Sequence, residues 1–387
     1  MSRTIIDIHI LETIATGNIN RDDTGTPKTQ EYGGVVRARV SSQSWKRPTR
    51  FLFDERFDDH DLGVRTKRCI ELLADAVEAK RPDIDHDTAM KYSETLLGDQ
   101  YAGIKKNEKG KIDKKTGQII PPRSPYLLYM GRAQYDRLAD IAIEMTDTTN
   151  AASKTKSEWK KRVKNIIEND RAIDVALFGR MFTDDAKLNI EAAVEVAHAI
   201  SVHGVETESD YYTAVDDMKS VSGDEDSGAA MIGDIEFSSA TFYRYANVDA
   251  NRLNDTLADP KASARAAAEF VRAFAMSIPT GKIHGFAQRA LPDLIVVSLR
   301  DTQPVNLATA FRVPVKPDYV KHATEQLVAQ EKAFDEAFDV TPIRTWVIRA
   351  DDAAKDADQL GEVTTLKEAV DDIETTVRDR LTNETEA

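Results

Sequence analysis

The order in which strand-like and helix-like runs follow one another constrains the fold of this chain more than any other feature. TIIDIHILETIA (4–15) is β-branched and apolar at alternate positions, the period of a strand. A polar loop with Gly, Pro and Asp breakers, NRDDTGTPKTQEYGG, comes next. VVRARV then alternates again, and SSQSWKRPTR opens a helix that runs on through FLFDERF. Residues 64–98 carry helical periodicity, and the lysine-rich segment 101–125, closed by Pro121-Pro122, reads as a hairpin or loop. SKTKSEWKKRVKNIIEND (153–170) reads as an amphipathic helix, with Trp159, Val163, Ile166 and Ile167 on one side and lysines on another. AIDVALFGRMF (172–182) has strand character, NIEAAVEVAHAISVHGVE suits helix or strand, and SVSGDEDSGAAMIGD is a loop. FSSATFYRYANVD (237–249) is a strand, PKASARAAAEFVRAFAM a helix stopped by Pro279 and Gly281, and DLIVVSL (293–299) a strand. LATAFRVPV and YVKHATEQLVAQEKAFDEAF are helical, as is the acidic end around 366–381. Strand, helix, long insertion, strand, strand, helix, strand describes an α+β chain. Its expected core is ferredoxin-like, or RRM-like, βαββαβ with a large helical insertion after the first helix.

With 387 residues, 41% of them hydrophobic, the chain can bury one large core or two smaller ones. No run of about 18 apolar residues occurs, and MSRTIIDIHI lacks the layout of a signal peptide, so a cytoplasmic protein is expected, with no membrane association. Cys69 is the one cysteine, which excludes an internal disulfide, a zinc ribbon and a CxxC redox site. The net charge of -14 argues against a uniformly basic nucleic-acid binder, but the charge is uneven. Residues 351–387 hold twelve acidic against four basic side chains, whereas residues 1–50 and roughly 104–165 are net positive.

One junction stands out. GGVVRARVSSQSWKRPTR (33–50) gathers Arg37, Arg39, Lys46, Arg47 and Arg50 with three serines and Gln43 where a strand enters a helix. Arg37 and Arg39 share one face of the strand, and the serines can cap the helix. Lysine and arginine at a helix start stack positive charge on the positive end of the dipole, which costs a few tenths of a kcal/mol unless an anion binds there. A solvated helix start and a phosphate clamp both fit. Tyr211, Tyr212 and Thr213, beside the Gly/Ser/Asp-rich loop, suit either base stacking or packing of that loop on the core. No Walker A, GxGxxG or HExxH motif is present, and no cofactor or metal is implied. His198 and His203 are five apart, wrong for one helix face, and the adjacent pairs Asp22-Asp23 and Asp216-Asp217 suit capping or turns better than a convergent metal site.

Taken together, NRDD, the Gly-Gly followed by RARVSSQSWKR, DVALFGRM, AHAISVH, YYTAVDD, FSSATFYRYANV and IPTGK resemble one family. It is the CasC family (Cas-seven, Cse-type), the guide-RNA-binding backbone subunits of the type I-E CRISPR Cascade surveillance complex. The resemblance runs in the same block order from the first strand to about residue 311 and is weakest in the insertion and the C-terminal segment. It implies an RRM-like palm (1–57 and 171–350), a helical, lysine-rich finger inserted at 58–170, a hairpin or loop thumb at about 198–240, and an acidic tail at 351–387. It also implies a non-catalytic protein that lines up head to tail in several copies along one CRISPR RNA. Its further partners would be target DNA and the other Cascade subunits: large, small, guide-end-capping and RNA-processing. Residue by residue, Arg21, Ser41, Gln43, Lys46, Arg47 and Arg50 match RNA-backbone positions, and Met181, Tyr211, Tyr212 and Thr213 match positions that displace bases.

Two departures accompany the resemblance. Val35 and Val36 stand where the family often has a basic residue, and Lys156, Lys160, Lys161, Lys164, Lys105 and Lys106 match the family's DNA-contacting finger lysines only loosely. The competing expectation is an RRM-like endoribonuclease, for which His198, His203, Asp23 or Asp217 would be the candidates; convergence of an acid, a base and a phosphate clamp in one cleft would mark it. A third possibility is a lone RRM-like single-strand binder, disfavoured by the acidic total.

Overall fold

The computed structural model describes residues 3–98, 101–104, 121–148, 153–169, 171–183, 185–214 and 231–386. The first part of the chain forms β1 (Ile5–Gly17), β2 (Thr29–Tyr32), β3 (Val35–Val40), α1 (Ser42–Phe51), β4 (Gly63–Thr66), α2 (Cys69–Lys80) and α3 (His86–Leu97). There follow β5 (Leu128–Gly131), α4 (Arg132–Asp147), α5 (Ser153–Glu168), α6 (Ile173–Phe178), β6 (Val194–Val196), β7 (Ala199–Ser201), β8 (Glu208–Ala214) and β9 (Met231–Asp249). The rest is α7 (Ala250–Leu257), α8 (Pro260–Met276), α9 (Ile283–Phe286), β10 (Leu294–Arg300), α10 (Tyr319–Phe338), β11 (Arg344–Arg349), β12 (Glu362–Val363) and α11 (Leu366–Glu386). They divide into two compact units, the first Met1–Leu52, Glu195–Ala250 and Ala267–Ala387, the second Phe53–Val194 and Asn251–Ala266. The core of the second unit draws on Phe182 and Leu188 as well as on the helices before residue 170.

In the first unit one sheet runs in the order β12-β11-β10-β1-β9-β7-β3-β2, and β6 and β8 also pair with β9. Its centre, β10-β1-β9-β7, is antiparallel throughout and has the 4-1-3-2 strand order of a ferredoxin-like core. The α+β reading of the sequence holds. β1 is a strand because Ile5, Ile6, Ile8, Ile10 and Ile14 are β-branched and all are buried. Its polar alternates are buried too, so β1 is covered on both faces. Asp7 accepts hydrogen bonds from Tyr245 Oη (2.7 Å), Arg300 Nε (2.8 Å) and the backbone N–H of Val305 (3.0 Å), and Arg300 also pairs with Glu331 and Asp335. Glu12 pairs at 2.5 Å with Arg244, whose guanidinium lies 3.8 Å from the centre of the Trp45 ring.

Burial pushes the Asp7 carboxyl up to about 6 and that of Glu331 up to about 7, with Arg300 pulling both back. A carboxyl raised in the folded state keeps its proton while the unfolded chain loses it. Glu331 therefore withdraws stability as pH rises from about 4.5 to about 7. Urea titrations across that window are expected to show Glu331→Gln gaining on the parent protein as pH rises; a constant difference would mean that Glu331 is ionised throughout.

The acidic segment from 351 onward is folded. Thr365 and Glu368 form a reciprocal capping box at the start of α11, Thr365 N–H donating to Glu368 and Glu368 N–H to Thr365 Oγ1. Ala369, Val370, Ile373, Val377 and Leu381 make a buried stripe at helical spacing, Trp346 Nε1 donates to Asp372 (2.8 Å), and Arg380 donates to Thr4 Oγ1 and Arg3 O. Its acidic side chains lie on the faces left over.

In the second unit the antiparallel pair β4–β5 accompanies helices whose core holds Leu73, Val77, Leu97, Leu138, Ile141, Trp159, Val163, Ile167 and the buried thiol Cys69. Three local expectations are corrected. Residues 173–178 are helix, not strand, because a six-residue apolar run satisfies either period; Gly179, at φ +77°, ends it. Residues 63–66, at the edge of the helical stretch, pair with 128–131 as a strand. Met231–Asp234, read as loop, are the first residues of β9. Among the described residues no helix is long and apolar enough to cross a membrane.

Candidate nucleic-acid interface

The junction between β3 and α1 is built around the loop that leaves β1. Asn18 Nδ2 donates to the carbonyls of Gly25 (2.9 Å) and Glu236 (2.8 Å), and Asn20 Oδ1 accepts the backbone N–H of Ser41 (2.9 Å). Asp22 Oδ1 accepts from Thr24 Oγ1 and from the N–H groups of Thr24, Gly25 and Thr26, and these bonds, the hydroxyl's first, hold its carboxyl below the usual range. Asp22 is thus a turn former, as its context suggested. Arg21, paired through its backbone with Pro27, is fixed beside the start of α1.

Ser41 is the N-cap residue of α1, but its side chain makes no capping bond; its Oγ lies 3.2 Å from Ser44 Oγ. The expected hydroxyl cap is absent because Ser44 N–H bonds the Ser41 carbonyl instead. α1 turns Trp45 and Thr49 into the core, which leaves Gln43, Lys46, Arg47 and Arg50 on one face at i, i+3, i+4 and i+7. No acidic residue stands in its first turn. Phe51, 43% exposed, lies against the guanidinium groups of Arg47 (4.6 Å) and Arg50 (5.3 Å). Lys46 is half-buried, and burial lowers its ammonium pKa against the pull of Glu195. A cation held where it is poorly solvated is set up to receive an anion.

The two arginines of β3 part company. Arg37 is fully buried and donates to the carbonyls of Tyr32, Ser201 and Phe311, a structural role. Arg39 donates from Nη1 to His198 Nδ1 at 3.0 Å, and burial, Arg39 and Lys28 together lower the pKa of His198. Lys28, Arg39 and His198 thus form a basic cluster near the start of α1. Sequence reading did not assign it, since 159 residues separate Arg39 from His198.

Every residue of β8 is exposed. Tyr211 pairs with Asp234, Tyr212 with Gly233 and Thr213 with Ile232, so Tyr211 and Thr213 share one face of the ribbon and Tyr212 takes the other. The Tyr212 ring covers Gly233, where a Cβ would stand 2.6 Å from its hydroxyl. In the second unit, Met181 is 79% exposed and follows Arg180, which is buried and spent on the carbonyls of Leu188 and Ile167. Lys156, Lys160, Lys161 and Lys164 line the exposed side of α5, with Lys164 3.8 Å from Asp185. Lys105, Lys106 and Asp217 lie outside the described residues.

The sequence profile of the family described as CT1975-like protein matches residues 6–372. The chain belongs to the CT1975-like family. It is a Cas-seven-type protein, and two solved structures agree with that. One, titled "CRISPR RNA-guided surveillance complex, pre-nicking", contains a chain 31% identical with a TM-score of 0.82, the match covering 96% of this chain and 100% of that one. The other, titled "CRISPR RNA-guided surveillance complex", matches at 28% identity and a TM-score of 0.70, covering 95% and 99%. No curated protein matches.

In this CT1975-like chain the histidines named as nuclease candidates are differently employed. His203 is buried, stacks on Tyr319 with ring centres 3.7 Å apart, and uses both nitrogens on backbone: Nδ1 donates to Gly204 O and Nε2 accepts from Thr241 N–H. His198 accepts at Nδ1 from Arg39, and Asp23 sits exposed in the loop organised by Asp22.

Proposed function

We propose that this chain is the guide-RNA-binding backbone subunit of a type I-E CRISPR surveillance complex, a non-catalytic protein that assembles in several copies along one CRISPR RNA. The observation that carries the reading is the clamp at the start of α1. Arg21, Gln43, Lys46, Arg47 and Arg50 are presented from a loop and a helix joined by the Asn20–Ser41 hydrogen bond, with no acid in the helix's first turn. That arrangement holds phosphates in register and carries no base-specific information. Base pairing then reads sequence, as it does in other RNA-guided complexes. The exposed ribbon supplies Tyr211 and Thr213 on one face for displacing a base, and Met181 offers an apolar surface against which bases rest. The surveillance-complex titles of both matched structures, at 31% and 28% identity, support the same reading, with the other subunits of such a complex and target DNA as partners.

Co-expression with a CRISPR array RNA and the remaining subunits, followed by native mass spectrometry, tests it. Several copies on one intact guide are expected; a single copy with cut RNA would replace the proposal with the endoribonuclease. For the finger lysines, Lys156→Ala with Lys160→Ala and Lys161→Ala is expected to weaken target-DNA binding and flatten its salt dependence, by about 0.9 in log–log slope for each phosphate no longer neutralised. Guide binding should be unchanged. An unaltered DNA salt slope would return these lysines to the role of a solvated face.

A further inference from the structure

Glu195, the middle residue of β6, is an acid placed where a phosphate clamp calls for cations. β6 pairs with β9 and leads into β7, whose Ala199 pairs with Val40, the last residue of β3 before α1. The chain path therefore brings Glu195 toward Lys46. Its charge pulls on that ammonium, although among the described residues Lys46 forms no ion pair. The Glu195 side chain is exposed but not loose. Its Oε2 accepts from Asn247 Nδ2 at 2.8 Å, and the same amide nitrogen donates to Tyr245 Oη at 3.3 Å. Asn247 and Tyr245 are both buried, and Tyr245 donates in turn to Asp7. The carboxylate is thus anchored to the core through one oxygen, while Oε1 has no partner among the described residues.

An ionised carboxylate can only accept hydrogen bonds. Phosphodiesters offer it acceptors alone and repel its charge, so an acid fixed beside a phosphate clamp costs affinity unless the ligand brings a donor. The 2′-hydroxyl is the donor that an RNA backbone carries and a DNA backbone lacks. We infer that Glu195 determines specificity for RNA over DNA at the clamp, its open Oε1 accepting a hydrogen bond from the ribose 2′-hydroxyl beside the phosphate that Lys46 holds. The inference rests on the RNA-binding reading of that clamp. Because Asn247 holds the carboxylate in place beforehand, little side-chain freedom is lost when the hydroxyl arrives. A deoxyribose presents only carbon-bound hydrogen there, which leaves the acid unpaired against the phosphate charge.

Anisotropy titration of the full chain with three short single strands of the same length tests this: oligo-uridine, oligo-deoxyuridine, and 2′-fluoro oligo-uridine, which keeps an RNA-like sugar pucker but has no hydroxyl to donate. The parent protein is expected to bind the ribose strand about tenfold more tightly than either of the others. Glu195→Gln retains the size of the side chain and an acceptor for Asn247 but turns an amide NH2 outward in place of Oε1. It should tighten binding of the deoxy strand and bring the ribose-to-deoxy ratio close to 1, and Glu195→Ala should do the same. An unchanged ratio in both variants, or ribose and deoxy affinities that move together, would overturn the role of Glu195; so would a 2′-fluoro strand that binds like ribose. In each of those cases a loss of ribose binding in Lys46→Ala plus Arg47→Ala leaves the clamp standing. Parent-like ribose binding by that double variant would instead overturn the reading on which the inference rests.

Discussion

Replacing Lys46 and Arg47 together with alanine should remove the chain from its guide RNA while leaving it folded. Each charge-assisted hydrogen bond to a phosphate is worth about 1.5–3 kcal/mol, so removing two lowers affinity on the order of a hundredfold or more. Salt dependence should weaken with it, by about 0.7 in log–log slope for each single-strand phosphate released. Both side chains project from the face of α1 opposite the buried Trp45 and Thr49, so the core keeps its packing. The Lys46 substitution should even raise thermal stability slightly, since it removes a half-buried cation from the positive end of a helix. Titration of the RNA over a salt series and a melting curve check both halves. RNA affinity that tracks stability, falling only when the protein loosens, would mean that Lys46 and Arg47 act on the fold and not on phosphate.

That separation of binding from folding was legible in part. The cations of α1 could be picked out because they contradict a local rule, positive charge on a positive dipole end, and contradictions of this kind collect at functional sites. The fold was legible where the residue types left one choice: β9 and β10 are β-branched and aromatic runs, buried on both faces over residues 240–248 and 294–300, and α5 buries Trp159, Val163 and Ile167 as its pattern requires. Legibility failed where the deciding partner lies far along the chain. Arg37 and Arg39 are equivalent by alternation, yet the carbonyls of Ser201 and Phe311 make one structural while His198 leaves the other at the surface. The acidic C-terminal segment reads as helical around 366–381, but its composition is that of a tail, and the packing of the apolar stripe of α11 into the core was outweighed by twelve acids. The alternation of β8, which sends Tyr212 away from Tyr211 and Thr213, depended on knowing that 208–214 is a strand.

The buried polar residues of β1 were the least legible feature, because Asp7 and His9 look like solvent-facing residues of a half-buried strand and Glu12 falls on the face of Ile8 and Ile10. They are instead the reason for the second large effect. Arg300→Met is expected to destabilise the first unit by about 3–5 kcal/mol, since it leaves Asp7, Glu331 and Asp335 around an apolar side chain with no counter-charge. Arg300 also donates to the Val340 carbonyl, so one backbone acceptor is stranded with them. The loss should depend on pH in a defined direction. Asp7 and Glu331 already titrate near 6 and 7 because burial opposes their charge, and without Arg300 both shift higher still. The variant should therefore be least impaired near pH 5, where both carboxyls are protonated, and most impaired at pH 8. Adding Asp7→Asn and Glu331→Gln removes the orphaned charges and should recover much of the loss at pH 8, because amides of the same size restore neutrality without opening a cavity. Chemical denaturation of the single and triple variants at the two pH values measures this coupling directly. Equal destabilisation at both, unrelieved in the triple variant, would mean that Arg300 matters for its hydrogen bond to Val340 and its bulk, and that the carboxyls gathered around it are bystanders.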